Sequence, residues 1–240
     1  MPVCPTLVVI PALNEARSLP KILSELKQLD YQTLVVDDGS TDETSEVVQG
    51  HEVSLLRLPV NLGVGGALRA GFRFAVDHGY SAVVQLDADG QHPINQIGEL
   101  INAAEQHNAH LVIGSRYRSE HATLSPNMVR RLPMRVMSFL ISRSSGVKIT
   151  DATSGFRIIR EPLLSEFAKE FPVYYLGDTY EATVAAVRAG FRVVEVPAAL
   201  SERKHGTSSA TTSQAVFLIG KVLIIALANL HPRLGRARDS

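Results

Sequence analysis

The chain of 240 residues contains 24 acidic and 24 basic residues, and 45% of its residues are hydrophobic. This composition allows a sizeable core, and the formal net charge of zero excludes a bulk electrostatic attraction to nucleic acid. The single cysteine, Cys4, excludes an internal disulfide framework and suits a reducing compartment. We expect no signal peptide, because an apolar strand pattern begins close to the N-terminus.

The first predicted unit is a strand followed by an amphipathic helix. Leu7–Ile10 is an apolar run, and polar residues follow it at Asn14 and Glu15. The helical pattern after them places these apolar residues on one face: Leu19, Ile22, Leu23, Leu26 and Leu29.

The second predicted strand, Thr33–Val36, ends in two adjacent acids, Asp37 and Asp38. Ser40 or Thr41 is expected to cap the helix that follows. The residues alone leave two interpretations open, because this acidic turn suits either a ligand site or a capped connection between a strand and a helix.

The third predicted unit is the strand Val53–Leu58 with the glycine-rich segment Asn61–Ala67 after it. A helix is predicted through Ala70, Phe74 and Ala75. The glycines lack the spacing of a dinucleotide fingerprint, and no Lys-Ser or Lys-Thr pair of a P-loop accompanies them. Both of those families therefore lose support, and a plain glycine turn is the alternative.

The fourth unit carries the strongest chemical signal, because the segment Val84–Leu86, apolar except for Gln85, delivers Asp87 and Asp89 to a strand end. Residues i and i+2 of an extended segment project on the same side, so both carboxylates can share one hard cation. The amide oxygen of Gln91 is a candidate third ligand. The alternative is a turn whose acids cap the helix after Pro93.

Strands that alternate with helix patterns predict an α/β fold with a mostly parallel, Rossmann-like sheet flanked by helices. Ligands of such sheets bind outside the carboxyl ends of the strands. In this chain those ends hold acids and amides, namely Asn14, Glu15, Asp37, Asp38, Asp87 and Asp89. The histidines show no metal-ligand spacing, so His92 is expected to pack or to form a loop hydrogen bond.

In their order along the chain, the motifs resemble glycosyltransferase family 2, which has a GT-A fold, and specifically its dolichyl-phosphate mannose synthase-like, polyprenyl-phosphate branch. The matching segments are Ile10–Glu15, Val36–Asp42, Asn61–Gly63, Asp87–Pro93, Gly114–Arg116, Asp151–Arg157, Glu195–Pro197 and Glu202–Arg203. The resemblance implies a catalytic domain over residues 1–212, with a nucleotide-binding half over about 1–115 and an acceptor half over about 116–212. Residues 213–240 would form an apolar and basic tail.

The resemblance also implies a donor site. Its nucleotide pocket would be formed by Pro11, Asn14, Glu15, Asp37, Asp38 and Asp87. Asp87, Asp89 and Gln91 would hold Mg²⁺ or Mn²⁺. A diphosphate leaving group suits this assignment, because a divalent cation stabilises the charge that develops on it.

The resemblance further implies that arginines contact the phosphates. Arg116 and Arg203 would contact those of the donor or of a lipid acceptor, and Arg130 or Arg131 would assist. The catalytic set would be Asp87, Asp89, Arg116 and Arg203. The sequence departs from the family at Ser209, where a lysine is common, which puts part of the acceptor-phosphate site in question.

The chemistry of the acceptor determines whether the transfer reaction needs a general base. A lipid phosphate is already an anion at neutral pH, whereas a sugar hydroxyl needs a carboxylate to take its proton. Asp151 and Asp178 are the candidate bases. The alternative role of Asp151 is to anchor Arg157 or a loop amide, and that of Asp178 is to cap a helix.

The tail contains an apolar stretch at residues 215–230, with arginines after it. A spanning helix needs about 20 apolar residues, so this segment suits an interfacial helix on anionic headgroups. The alternative is a core or dimer helix. With the resemblance, we expect a cytoplasmic protein that is peripheral on the cytoplasmic face of a membrane, with a homodimer or a small membrane protein as a further partner.

The resulting prediction is a metal-dependent, inverting glycosyltransferase that moves a hexose from a GDP- or UDP-sugar to a polyprenyl phosphate. A same-fold enzyme with a soluble or polysaccharide acceptor is the alternative. A nucleotidyltransferase is disfavoured, because no glycine-rich basic loop follows the first strand. A non-catalytic sugar-nucleotide binding module is disfavoured, because Asp87 and Asp89 are both present.

Overall fold

The computed structural model describes residues 5–116, 149–151, 154–172, 178–200 and 234–235. The strands in these ranges are β1 (Thr6–Ala12), β2 (Thr33–Asp37), β3 (Ser54–Arg57), β4 (Ala82–Gln85), β5 (Leu111–Ser115), β6 (Arg157–Arg160) and β7 (Val193–Pro197). The helices are α1 (Leu19–Gln28), α2 (Thr44–Gln49), α3 (Val64–Asp77), α4 (Ile97–Gln106), α5 (Leu163–Glu170) and α6 (Asp178–Arg188). A short 3₁₀ helix, Ile94–Gln96, precedes α4.

The strands form one sheet in the order β3-β2-β1-β4-β6-β5-β7. All of them run in the same direction except β6, which lies antiparallel between β4 and β5. Gln85 at the end of β4 is therefore opposite Arg157 at the start of β6. The predicted α/β fold with a mostly parallel sheet is confirmed.

Both faces of the sheet are buried, as is typical of parallel strands with helices on either side. Val9 of β1 belongs to a cluster that includes Phe72 of α3 and Phe167 of α5. Ile10, the next residue, points to the opposite face and packs in a cluster with Leu23 of α1. The near-continuous apolar strands of the sequence follow from this double coverage.

Helix α1 confirms most of its predicted apolar face. Its buried residues are Leu19, Ile22, Leu23 and Leu26. The prediction was wrong for Leu29, which is 48% exposed. The helix ends at Gln28, and Leu29 is the residue after it, so the helical repeat no longer directs its side chain to the core.

Helix α2 begins at Thr44, and neither Ser40 nor Thr41 caps it. The predicted cap was wrong, because three residues separate Ser40 from Thr44, the first residue of the helix. The Ser40 hydroxyl instead accepts a hydrogen bond from the backbone N–H of Asn14, in the loop after β1. This side chain therefore joins two loops.

No helix within the described ranges combines the length and apolar character that crossing a bilayer requires. The apolar stretch 215–230 lies outside the described residues. Beyond it, Leu234 packs against the core, and the N–H of Gly235 donates to a carboxylate oxygen of Glu166 at 2.7 Å. The chain after the apolar stretch thus contacts α5.

Candidate functional site

The carboxyl ends of β1, β2 and β4 lie at one edge of the sheet, and β6 begins at the same edge. The strand ends therefore bring the predicted donor-site residues to a common edge, namely Pro11, Asn14, Glu15, Asp37, Asp38, Asp87, Asp89 and Gln91. Arg116 follows β5, which ends at the same edge. This is where α/β sheets bind ligands.

The loops after β1 and β2 are tied together by their polar residues. Asn14 adopts a left-handed conformation (φ 56°), its N–H donates to Ser40 Oγ at 2.9 Å, and its Oδ1 accepts from the Thr41 N–H at 2.8 Å. The N–H of Glu15 donates to Thr44 Oγ1 at 2.9 Å. These contacts fix the predicted nucleotide-pocket residues Asn14 and Glu15 in one loop arrangement.

Asp37 is fully buried, and its carboxylate is used inside the protein. Asp37 Oδ1 accepts the Ser40 N–H at 2.8 Å, Oδ2 accepts the Ser45 hydroxyl, and Arg57 Nε lies 3.9 Å away. Burial opposes ionisation, but the hydrogen bonds and the Arg57 charge outweigh it and hold the pKa of Asp37 below its usual value. This carboxylate joins β2 to α2 through Ser45, although no side chain caps the helix.

Asp38 is 3% exposed and faces a different loop. Its Oδ1 accepts the N–H of Leu62 at 2.8 Å, which connects the turn after β2 to the glycine-rich segment after β3. Burial raises the pKa of Asp38, and the neighbouring Asp37 charge adds to this effect, while the N–H groups of Leu62 and Gly63 oppose it. Contacts of Asp37 and Asp38 with a nucleotide stay predictions.

The second acidic pair is more open. The side chain of Asp87 is 39% exposed, and Asp89 and Gln91 are partly exposed. Asp89 Oδ1 accepts the N–H of Gln91 at 3.0 Å, which closes a tight turn. The alternative that these acids cap the next helix was wrong, because the Ile94–Gln96 turn has no side-chain cap.

These residues suit a hard cation. Among the described residues, no group of three or more His, Cys, Asp or Glu side chains is clustered for metal binding. A donor set of two carboxylates and one amide oxygen, all partly exposed, nevertheless fits Mg²⁺ or Mn²⁺, which accept few protein ligands and complete their shells with phosphate and water. Metal binding by Asp87, Asp89 and Gln91 stays a prediction.

His92 is buried beside this turn and contacts Asp87. It is 8% exposed, its Nδ1 accepts the backbone N–H of Asp87 at 3.0 Å, and its Nε2 lies 3.4 Å from Asp87 Oδ2. Its ring packs on Phe156, with ring centroids 5.3 Å apart. The expected packing and loop hydrogen bond are both confirmed.

Burial lowers the pKa of His92. The carboxylates of Asp87 and Asp89 oppose this effect, and the guanidinium groups of Arg116 and Arg157 reinforce it. The imidazole is therefore held as the neutral form near neutral pH.

Arg116 is bound to the fully buried carboxylate of Asp151. Its Nε lies 2.9 Å from Oδ2, its Nη2 donates to Oδ1 at 3.1 Å, and its backbone N–H donates to Oδ2 at 3.2 Å. Glu195 braces Asp151 in turn, because its Oε1 accepts the N–H groups of Thr150 and Asp151. The expected loop-amide contact of Asp151 is confirmed, and a phosphate contact of Arg116 stays a prediction.

Several predicted positions lie outside the described residues. Arg130, Arg131, Arg203, Ser209 and the tail from residue 213 through 233 are among them. Asp178 begins α6, but its side chain is likewise outside the described part. Their predicted roles therefore stay predictions.

Sequence reasoning missed two neighbours of the site. Glu195 lay in a matching motif but received no role. Gly155 also lay in one, and a Cβ there would come within 2.6 Å of Asp87 Oδ2. Asp87 and Gly155 meet because β4 and β6 are paired, and no local pattern announces that pairing.

The fold matches known glycosyltransferase structures. Glucosyl-3-phosphoglycerate synthase from Mycobacterium tuberculosis, in its complex with Mn²⁺, uridine diphosphate and phosphoglyceric acid, superposes with a TM-score of 0.71 at 19% identity. The match covers 92% of this chain and 78% of that one. The protein thus has the GT-A glycosyltransferase fold.

The family follows from the sequence comparison. The chain belongs to glycosyl transferase family 2, whose pattern matches residues 7–167. It is 34% identical to polyprenol monophosphomannose synthase from Mycolicibacterium smegmatis, over 97% of this chain and 90% of the relative. It is also 34% identical to undecaprenyl-phosphate mannosyltransferase from Micrococcus luteus, over 84% of this chain and 86% of the relative. The predicted family and enzyme class, a glycosyltransferase, are confirmed.

Proposed function

We propose that the protein transfers a hexose from a GDP- or UDP-sugar to a polyprenyl phosphate, with inversion at the anomeric carbon and with a divalent cation. The observation that carries the proposal is the partly exposed acidic pair Asp87 and Asp89 at the end of β4. The names of the two relatives above support the lipid acceptor, because both denote sugar transfer to a polyprenyl carrier.

Asp87, Asp89 and Gln91 would hold Mg²⁺ or Mn²⁺. When bound, the cation would neutralise the charge that develops on the leaving nucleotide diphosphate. Pro11, Asn14, Glu15 and Asp38 would form the nucleotide side of the pocket, and Asp37 would hold the turn on which Asp38 is presented. The bonded loops after β1 and β2 support this role, since a fixed loop binds at lower entropic cost.

Arg116 would bind a phosphate of the donor or the acceptor. Its Nε and one terminal nitrogen are engaged by Asp151, and this pairing fixes the plane of the guanidinium at the end of β5. Arg203, assisted by Arg130 or Arg131, would contact the acceptor phosphate. A planar guanidinium suits phosphate because its donors match two oxygens at once.

The state of Asp151, one of the two candidate bases, suits a phosphate acceptor better than a hydroxyl acceptor. A hydroxyl would need a carboxylate to take its proton. Asp151 is fully buried and bonded to Arg116, which leaves it poorly suited to act as that base. A polyprenyl phosphate attacks as an anion, and its use needs no such base.

The acceptor would place the protein on the cytoplasmic face of a membrane, with the apolar stretch 215–230 and the arginines after it at the surface. Replacing Arg233, Arg236 and Arg238 with glutamine should weaken binding of the full chain to anionic vesicles but leave donor affinity unchanged. The wild-type binding should also weaken with salt, because headgroup attraction is screened over about 10 Å at 0.1 M. Salt-independent binding, or none, would favour a core or dimer role for the tail.

The direct test is a transfer assay on the full chain with GDP- and UDP-hexoses, Mg²⁺ or Mn²⁺, and a short polyprenyl phosphate. We expect one donor to give a glycosyl lipid phosphate of inverted anomeric configuration, which NMR of the product identifies. Chelation should stop the reaction. The control Glu105→Ala removes an exposed acid of α4 and should behave as the wild type. Transfer to soluble or polysaccharide acceptors alone would support the same-fold alternative.

A further inference from the structure

We propose that His92 and Gly155 together position the carboxylate of Asp87, and we call this pair the Asp87 seat. The inference rests on the proposed function in one respect, since Asp87 is there a ligand of the cation. Neither residue is assigned to contact substrate, so both are positioning residues.

His92 determines one side of the seat through its tautomer. Its Nδ1 accepts the N–H of Asp87 at 3.0 Å, so Nδ1 carries a lone pair and not a proton. In the neutral ring the proton must then be on Nε2, which faces Asp87 Oδ2 at 3.4 Å. One imidazole thus holds the backbone of Asp87 and presents an N–H dipole to its carboxylate.

Gly155 determines the other side by having no side chain. A Cβ at this position would lie 2.6 Å from Oδ2, 2.8 Å from Oδ1 and 3.0 Å from Cγ of Asp87. These distances are shorter than van der Waals contacts permit, so any larger residue must displace the carboxylate. The φ of Gly155 is not in the left-handed region, unlike that of Gly39 or Gly63. The position therefore selects glycine for space and not for backbone conformation.

The two sides of the seat come from distant parts of the chain and are joined by packing. Phe156, the residue after Gly155, is fully buried and packs its ring on His92 at 5.3 Å between centroids. The pairing of Gln85 with Arg157 fixes the segment before β6 against the end of β4. A change in the segment 154–157 is thereby transmitted to the position of Asp87.

The test compares Gly155→Ala with two glycine controls. In Gly71→Ala the new Cβ would lie 2.5 Å from Cγ1 of Val9, an apolar clash inside the core between the sheet and α3. In Gly98→Ala the nearest atom would be the Tyr31 hydroxyl at 3.9 Å, so no clash arises. Gly155→Ala should lower Mn²⁺ affinity, measured by electron paramagnetic resonance with UDP or GDP, by about 10-fold to 100-fold. Gly71→Ala should reduce the urea midpoint but keep the Mn²⁺ affinity, and Gly98→Ala should keep both.

His92 is tested by two substitutions that divide its contacts. The amide of Gln reaches the position of Nε2 and retains a donor toward the carboxylate, whereas the shorter Asn retains only the acceptor for the Asp87 N–H. His92→Gln should therefore keep more Mn²⁺ affinity than His92→Asn. These variants also test the seat if Gly155→Ala does not fold.

A spectroscopic measurement separates the seat from the proposed function. In the metal-free protein, ¹⁵N NMR should show His92 protonated on Nε2 only, and Asp87→Asn should shift the Nε2 resonance. A wild type that binds no Mn²⁺ with any nucleotide would contradict the proposed function but leave this measurement valid. The seat is overturned by a proton on Nδ1, by unchanged Mn²⁺ affinity in a folded Gly155→Ala, or by equal affinity losses in Gly155→Ala and Gly71→Ala.

Discussion

Two acidic pairs lie at the carboxyl ends of β2 and β4, on either side of β1 at the same edge of the sheet, yet their environments differ. Asp37, the last residue of β2, and Asp38 after it are 0% and 3% exposed, and their carboxylates accept hydrogen bonds from the protein. Asp87, after β4, has a side chain that is 39% exposed, and its partner Asp89 is also partly exposed. Position at a strand end thus does not by itself determine how exposed the carboxylate of an acid is.

Spacing accounts for part of the difference. Asp37 and Asp38 are adjacent, so their side chains diverge, one to Ser45 of α2 and the other to Leu62 after β3. The contact with α2 shields the Asp37 carboxylate from solvent, and the contact with the segment after β3 shields the Asp38 carboxylate. Asp87 and Asp89 are separated by one residue and lie on a turn that α4 does not use for capping. We therefore expect the first pair to act mainly on stability and the second mainly on catalysis.

The largest effect should come from the open pair. Asp89→Ala should reduce transfer by roughly a thousandfold or more, because a bound cation contributes several kcal/mol of transition-state stabilisation. Asp87→Asn should be comparably severe, and Gln91→Ala milder, because water replaces a neutral amide ligand. The urea midpoint should change little. Full activity of Asp89→Ala with added Mn²⁺ or Mg²⁺ contradicts the metal assignment.

The buried pair should respond in the opposite way. Asp37→Ala leaves the Ser40 N–H and the Ser45 hydroxyl without their acceptor, and should lower the free energy of unfolding by about 1–3 kcal/mol. Urea denaturation measures this loss, and Mn²⁺ affinity of the folded protein should be retained. An unchanged midpoint together with lost nucleotide binding would make Asp37 a ligand and remove the contrast.

Asp38 is buried like Asp37 but is also proposed to contact the nucleotide, so two substitutions are used to separate its effect on stability from its effect on binding. Asp38→Asn keeps an acceptor for the Leu62 N–H, whereas Asp38→Ala removes it and should cost about 0.5–1.5 kcal/mol of unfolding free energy. Both should weaken donor binding in calorimetry if the carboxylate contacts the base or ribose. Wild-type donor affinity in both variants, with lowered stability in Asp38→Ala alone, would assign Asp38 a purely structural role.

The smallest effect is a pair of opposite pH dependences. The pKa of Asp37 is lowered in the folded protein, so its stabilisation is present above the unfolded value and is lost as pH falls through the folded value. The pKa of Asp38 is raised, so its contribution is present below the unfolded value and is lost as pH rises through the folded value.

Urea unfolding between about pH 3 and pH 6 checks this difference, since unperturbed Asp titrates near 3.9. Relative to wild type, Asp37→Asn should become more destabilising as pH rises. Asp38→Asn should become less destabilising over the same range. Slopes of the same sign for both variants would contradict the assigned environments.

The sequence predicted the features that depend on local pattern. Apolar runs such as Leu7–Ile10 gave the strands, and helical periodicity gave four buried residues of α1. It failed at Leu29, because the last helical residue cannot be located from periodicity alone. The order of the motifs along the chain predicted the family.

The environment of each acid could not be predicted, because it depends on contacts between distant segments. Asp38 meets Leu62 across 24 residues, and Asp151 meets Glu195 across 44 residues. Gly155 reaches Asp87 only because β6 pairs with β4. Periodicity reports which side of a strand is apolar but not which strand lies beside it.

Because β6 lies between β4 and β5, the sheet cannot form completely during synthesis until the chain has been made past β6. β5 pairs with β6 and β7 but not with β4, so a nascent chain that ends at Ser115 has no described strand to hold β5 in the sheet. The open flank of β4 would then offer unpaired backbone groups, a feature that favours aggregation. We expect a fragment of residues 1–115 to need a chaperone or to aggregate, and extension past Arg160 to restore solubility.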